Sequence, residues 1–338
     1  MAAQPGATPK PGRSAAAHLA GDRDPFREPL RIGALTLDRR LFMAPMAGIT
    51  SSAFRRSVRR WGAGLAFTEM ISAYGVYYRN RRTLEYLACG GDEHPLGFQL
   101  FGADADVLAD AAARCVEAGA DVVDLNMACP VRKVVKTGAG AALLGDPDRA
   151  AAIVAAVVGA VEGRVPVTVK IRAGLREGDE AGRRCAPRLV AAGAAAICIH
   201  PRTAGQLYRG RADHAVTRAL AAELPVPVIA SGDVDSRDVA LALLEGGAAA
   251  VMLARHALGR PWLFAEILDG ARPPSCEARL AELRLFTGGV MQDMGARSVG
   301  YLRQFWPWYR RAGVLDKASA HALMLAPDAA AVRELLGM

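Results

Sequence analysis

The stretch 122–136, VVDLNMACPVRKVVK, ends an apolar run with an amide, a thiol and three cations. Asn126 offers a planar ligand both a donor and an acceptor. Cys129 follows three residues later, directly before Pro130. A free thiol has a pKa of about 8.5, so near neutral pH it keeps its proton and can act as a general acid. Arg132, Lys133 and Lys136 could instead lower that pKa and create a nucleophile. The sequence offers no clear orienting base for a Cys–His pair, so proton donation is the favoured reading, with an inert loop cysteine as the alternative.

Other apolar runs also end in reactive or polar residues. VPVTVKIR (165–172) delivers Lys170 and Arg172, and AAICIH (195–200) delivers His200, followed by Arg202. Lys170 suits a Schiff base, a charge-assisted hydrogen bond to the electron-rich edge of a cofactor, or an ion pair at a rim. His200 either faces a ligand or is a satisfied structural histidine. SGDVDS (231–236) and LARHALG (253–259) can each offer backbone N–H groups to an anion, with Arg255 as a positive fork; ordinary strand-to-helix turns would look the same. RLFMAPM (40–46) ends in Pro45 and Met46, and LGFQLFG (96–102) contains Gln99. Glu69, at the end of GLAFTEM (64–70), could orient a loop and is given no chemistry. No metal site is expected: His200, His214 and His256 are spread out, and Asp233 suits a turn.

These residues must be held by something. With VVDLNM (122–127), VPVIASG (226–232) and AAVMLAR (249–255), the apolar runs number eight. Helical stretches such as DADVLADAAARCVEAG (104–119) and DPDRAAAIVAAVVGAVEG (146–163) separate several of them, and Asp146 and Ser236 read as helix caps. Eight strands of this kind alternating with helices predict an α/β fold, a (β/α)8 TIM barrel, whose chemistry gathers at the C-terminal strand ends. A doubly wound sheet is the rival, but APMAGITSSAFR is not the glycine fingerprint it would carry after its first strand. The barrel is expected over 35–270. DGARPPSC (269–276) reads as a linker into a helical domain over 271–338 of three or four helices, with Gly288–Gly289 and Pro307 as bends or ends. Residues 1–34 read as a flexible extension, with a short helix over Ser14–Leu19 allowed.

The chain has 338 residues and a net charge of +8, a soft pointer to a polyanionic partner. Its six cysteines include no CxxC pair, which argues against a disulfide framework or zinc ribbon and for a reducing cytoplasm. No unbroken apolar segment is long enough to span a membrane.

Taken together, the motifs resemble the tRNA-dihydrouridine synthase family, most of all its bacterial B-type branch. The resemblance runs from about Phe42 to Tyr309. It is carried by APMAGITSSAFR (44–55), TEMISA (68–73), FQLFGAD (98–104), DLNMACPVRKVVKTGAGAALL (124–144), PVTVKIRAG (166–174), IHPRTAGQLYRG (199–210), PVIASGDV (227–234), ARHALGRPWLF (254–264) and YLRQFWPWYR (301–310). The resemblance implies FMN at the barrel mouth, NADPH or NADH as reductant, tRNA as substrate, and a helical RNA-binding domain. Pro45, Met46 and Ala47 would pack near the isoalloxazine, and Gln99 would meet its polar edge. Lys170 and His200 would support the end that gains negative charge. Ser231, Gly232, Asp233, Ala254 and Arg255 would surround the phosphate. Asn126 and Arg202 would hold the base. Hydride from flavin N5 would reach C6 of uracil, and Cys129 would protonate C5. A monomer is expected. The Arg-rich stretches RRSVRR (55–60), RNRR (79–82) and RRAG (310–313) could hold phosphates or be solvated surface. Trp306, Trp308 and Tyr309 could stack with bases, but filling the helical core is the favoured reading.

Four motifs depart from the family pattern. Ala128 replaces the glycine before the cysteine, SGD replaces NGD, ARH replaces GRG or GRA, and Arg303-Gln304-Phe305 replaces Arg-Lys-His. Two rival functions follow: an FMN-dependent barrel reductase of a free pyrimidine or enone, and an RNA-binding protein with a degraded flavin site. A Schiff-base lyase through Lys170 is a third, remote one.

Overall fold

The structure, a computed structural model, describes residues 24–338. The chain enters through β1 (Leu30–Ile32) and β2 (Leu35–Leu37), an antiparallel hairpin. Then come β3 (Leu41–Met43), β4 (Leu65–Phe67), the two-residue β5 (Ile71–Ser72), β6 (Leu96–Phe101), β7 (Val122–Met127), β8 (Val167–Arg172), β9 (Ala196–His200), β10 (Val228–Ser231) and β11 (Ala250–Leu253). Apart from β5, each strand from β3 onward grows from one of the eight apolar runs. They pair in parallel, and β11 returns to β3, so the sheet closes into an eight-stranded barrel. β5 adds to the end of β6 at the mouth. Every residue of β7 and β8 is buried, as a strand covered on both faces requires.

The helices between strands are capped as the sequence suggests. Asp146 accepts the backbone N–H of Arg149 at 3.1 Å and starts helix Pro147–Val161, while Ser236 caps Arg237–Glu245.

The expected extension over 1–34 needs correcting at its end. Residues 1–23, including Ser14–Leu19, lie outside the described residues. From Asp24 onward the chain is built into the fold, because Phe26 and Ile32 are fully buried against the barrel.

Beyond Gly270 the chain is helical. Cys276–Met294 runs unbroken through Gly288 and Gly289. The next segment divides into Ser298–Leu302 and Trp306–Arg311, with Pro307 in the first turn of the latter. Lys317–Leu325 and Ala329–Leu336 complete the region, which has one helix more than the upper expectation. Trp306 and Tyr309 are core residues and Trp308 is partly buried against them. The region shares a hydrophobic core with the barrel: Phe54 of helix Ser52–Arg60 meets Phe286 and Phe305 at centroid distances of 6.1 and 5.8 Å. Arg56 pairs with Asp293 at 2.9 Å and Arg60 with Glu282 at 2.6 Å. Among the described residues no helix is long and apolar enough to cross a membrane.

Candidate active site

Side chains alternate along a strand, so every second residue points into the barrel. Asp124 and Asn126 on β7 share one face, and Thr168, Lys170 and Arg172 share one on β8. Register places Gln99 beside Asp124, Asn126 beside Lys170, and Arg172 beside His200.

A continuous hydrogen-bond chain results. Thr168 Oγ1 donates to Asp124 Oδ1 at 2.6 Å, and Gln99 Nε2 donates to Asp124 Oδ2 at 2.7 Å. Asn126 Nδ2 donates to Gln99 Oε1 at 2.8 Å. Asn126 Oδ1 accepts the backbone N–H groups of Ala128 and Cys129 at 3.1 and 2.8 Å. The carboxylate therefore fixes which way both amides point. Counting donors, Gln99 and Asn126 each keep one N–H for a ligand. Asp124 is fully buried, and desolvation pushes its carboxyl up to about 6 despite the Thr168 and Gln99 bonds and the charge of Lys170.

Cys129 is half-buried on the exit loop of β7. Its carbonyl accepts from Ala141 N at 3.0 Å, and it packs against a small cluster that includes Ala103, Val134 and Ala139. Arg172 braces this loop by donating Nε–H to the Ala128 carbonyl at 2.8 Å and Nη1–H to Thr203 O at 2.8 Å. Ala128 is not among the residues with positive φ, so its methyl imposes no backbone penalty. Cys115 and Cys198 are buried packing residues, as expected; desolvation pushes the Cys198 thiol up to about 12.

Lys170 is buried and forms no ion pair among the described residues. His200 lies nearby, and its pKa falls to about 2 through burial and then the charges of Lys170, Arg172, Arg202 and Arg255. The imidazole is therefore neutral. Its Nε2 accepts from Arg202 at 3.2 Å, which leaves the proton on Nδ1. Arg202, expected at the base, is committed elsewhere. Its remaining nitrogens bond Arg209 O at 3.1 Å, Gly210 O at 2.7 Å and Asp233 Oδ2 at 2.8 Å, so it braces the loop after β9.

Ser231, Gly232, Asp233, Ala254 and Arg255 line one small cavity, with Val234, Met252 and His256. Gly232 has φ 111°, and a Cβ there would lie 2.8 Å from His200 Cδ2, so glycine is required. Asp233 follows at φ 55°, a conformation that Asp tolerates, and its carboxylate is held low by Arg202 and the Ala212 N–H. Ala254 has φ −134°, outside the left-handed region that favours glycine. Arg255 lies over the Tyr208 ring, 4.4 Å from its centroid, and Tyr208 also stacks near His200.

Pro45 and Met46 are half-buried and Ala47 exposed on the loop after β3. Glu69 accepts from Gly48 N, and Gln304 of the helical region donates to Gly48 O at 2.7 Å. Burial raises the Glu69 pKa, opposed by the Gly48 bond. A larger cavity, about 610 Å³, lies beside this loop between barrel and helical region, and Glu69, Arg82, Arg297 and Tyr301 help to line it.

Sequence reasoning missed Asp124, Tyr208 and the clamping role of Arg172. Asp124 had a signal: a carboxylate two residues before Asn126 in a buried strand must share its face.

The chain matches the family model described as Dihydrouridine synthase (Dus) over residues 42–302. It is 39% identical over 294 residues to tRNA-dihydrouridine synthase B of Pseudomonas aeruginosa, covering 83% of this chain and 86% of that protein. It is 37% identical over 293 residues to the probable tRNA-dihydrouridine synthase 1 of Synechocystis sp., covering 84% and 81%. Among solved structures, morphinone reductase in complex with tetrahydroNAD aligns with a TM-score of 0.55 at 15% identity, over 75% of this chain and 93% of that one. Histamine dehydrogenase from Rhizobium sp. 4-9 aligns with a TM-score of 0.60 at 15% identity, over 78% and 51%. At such identity these two share the barrel fold alone.

Proposed function

The chain belongs to the dihydrouridine synthase family, and from that premise we propose that it reduces uridines of tRNA to 5,6-dihydrouridine, using FMN with NADPH or NADH as reductant. One observation carries this reading: the Thr168–Asp124–Gln99–Asn126 chain ends on the backbone N–H of Cys129. It fixes a half-buried thiol beside an amide with one donor to spare.

FMN fits the residues present. The cavity at Gly232 and Arg255 has the backbone approach and positive charge that a phosphate needs. The buried, unpaired Lys170 supplies charge for the electron-rich edge of the ring, with neutral His200 beside it. Pro45, Met46 and Ala47 offer an apolar wall, and the spare Gln99 N–H a polar contact. When bound, FMN supplies the hydride, from N5 to C6 of uracil.

The chain's own task is the proton and the base. Asn126 uses its spare N–H to hold the uracil. Cys129 gives its thiol proton to C5. The base must leave its stack to reach this depth. On this reading the protein works in the cytoplasm, beside its tRNA substrate.

The test compares the wild type with Cys129→Ala on unmodified tRNA transcript. The variant should keep its flavin and its reduction by NADPH. Dihydrouridine formation, read by mass spectrometry, should fall about 10²–10⁴-fold, as for loss of a general acid. Unchanged single-turnover rates would overturn the role of Cys129. A wild type that reduces a free pyrimidine but no transcript would overturn the substrate.

A further inference from the structure

Two of the Arg-rich stretches fare differently. In 55–60, Arg55 is buried on Glu93, Arg56 and Arg60 tie down the helical region, and Arg59 bonds the carbonyls of Ala63 and Gly64. In 79–82 the arginines remain exposed, and Arg79, Arg81 and Arg82 form no ion pair among the described residues. Just before them stand Tyr74, Tyr77 and Tyr78, exposed by 45%, 46% and 72%. The Tyr74 and Tyr78 rings lie 6.2 Å apart at 15°, and Tyr77 meets Tyr78 edge-on at 5.2 Å.

This patch belongs to the rim of the candidate site. Met70, one residue before β5, packs in the cluster that holds Cys129. Ser72, ending β5, caps the short helix Ala73–Tyr77. The backbone is firmly set: Gly75 lies against Thr83, where a Cβ would come within 2.4 Å of Oγ1, and Asn80 caps the turn Arg81–Leu84. Three large rings are thus presented to solvent on a fixed support.

Solvent-facing aromatics beside arginines that form no ion pair match one class of partner. Unpaired nucleotides stack on the rings while phosphates meet the cations, and no particular base is demanded. We propose that Tyr74, Tyr77 and Tyr78, with Arg79, Arg81 and Arg82, form a stacking platform for unpaired nucleotides that flank the base entering the barrel mouth. This rests on the RNA reading above and names a contact that reading leaves open.

The experiment measures Kd for unmodified tRNA transcript by fluorescence anisotropy, and KM and kcat for dihydrouridine formation, on the flavin-loaded protein. Tyr77→Ala/Tyr78→Ala should raise Kd and KM about tenfold or more, with kcat and flavin reduction by NADPH unchanged. Tyr77→Phe/Tyr78→Phe should restore both, since stacking needs the ring and not the hydroxyl. An unchanged Kd in the alanine variant overturns the platform, and so does failure of phenylalanine to restore it. A dimer in sedimentation that the alanine variant abolishes also overturns it, since the rings then serve a second copy. Loss of dihydrouridine activity in the wild type, with transcript binding still dependent on the tyrosines, would sink the enzymatic reading alone.

Discussion

Asp124→Asn tests the hydrogen-bond chain most directly. The Asp124 carboxyl is raised from 3.8 to about 6 by desolvation. In the folded protein the acid therefore holds its proton more tightly than in the unfolded chain. Between those values the native state binds more protons, so this group's contribution to stability is fully present below pH 3.8 and is lost as pH rises through 6. A displacement of about two pH units corresponds to about 3 kcal/mol. His200 has the opposite sign. Its pKa falls from 6.5 to about 2, so its contribution is present above pH 6.5 and is lost on acidification. The wild-type profile alone would mix the two; the difference between wild type and variant isolates Asp124.

Asparagine keeps an acceptor toward Gln99 Nε2 and turns an N–H₂ toward Thr168 Oγ1, whose hydroxyl can accept instead. The orientations of Gln99 and Asn126 then survive, and so does the hold on Cys129. The stability difference, variant minus wild type, should rise by about 2 kcal/mol between pH 4 and pH 7, most of the full displacement. Urea unfolding followed by circular dichroism at both pH values reads it. Dihydrouridine formation should stay within about tenfold of wild type, the scale of exchanging a charge-assisted hydrogen bond for a neutral one. Two parallel pH profiles would refute the burial argument. A normal pH difference with Cys129-dependent activity lost would refute the claim that an acceptor at Asp124 suffices to orient the chain.

Two further substitutions separate cofactor from architecture. Lys170→Ala should weaken flavin binding about 10–100-fold, the loss expected for one charge-assisted hydrogen bond, and fluorescence titration with FMN checks it; an unaltered Kd would remove Lys170 from the flavin's edge. Gly259→Ala should destabilise by about 1–3 kcal/mol, as overpacking does. Its φ is 67° and a Cβ would lie 2.5 Å from the Trp308 carbonyl carbon, so an unchanged thermal midpoint would mean that the helical region is not seated there.

What the sequence disclosed depended on how local its signal was. Most barrel strands are short apolar runs with helices on either side, so β7 and β8 could be read from residues a few positions apart. The strand-end rule then delivered Gln99, Asn126, Cys129, Lys170 and His200 as a group. The expected phosphate residues line one cavity for the same reason, since β10 and β11 are neighbours. The helix count in the tail failed on local chemistry: Phe305 and Pro307 divide one periodic stretch into two helices, while two adjacent glycines leave another whole.

The fate of the arginines was out of reach because pairing partners are distant in sequence. Arg56 finds its acid 237 residues away, and Arg202 finds Asp233 after 31. A run of positive charge therefore looks the same whether it braces two units or waits for phosphate. Composition gives net charge; only the fold decides which charges are already spent. By that criterion 55–60 is structural, Arg202 is a brace, and 79–82 is left to meet a polyanion. The same reasoning separates the thiols. Cys198 is sealed beside Met252, 3.4 Å away, whereas Cys129 is only half-buried, its backbone N–H and carbonyl both held while its sulfur forms no hydrogen bond among the described residues.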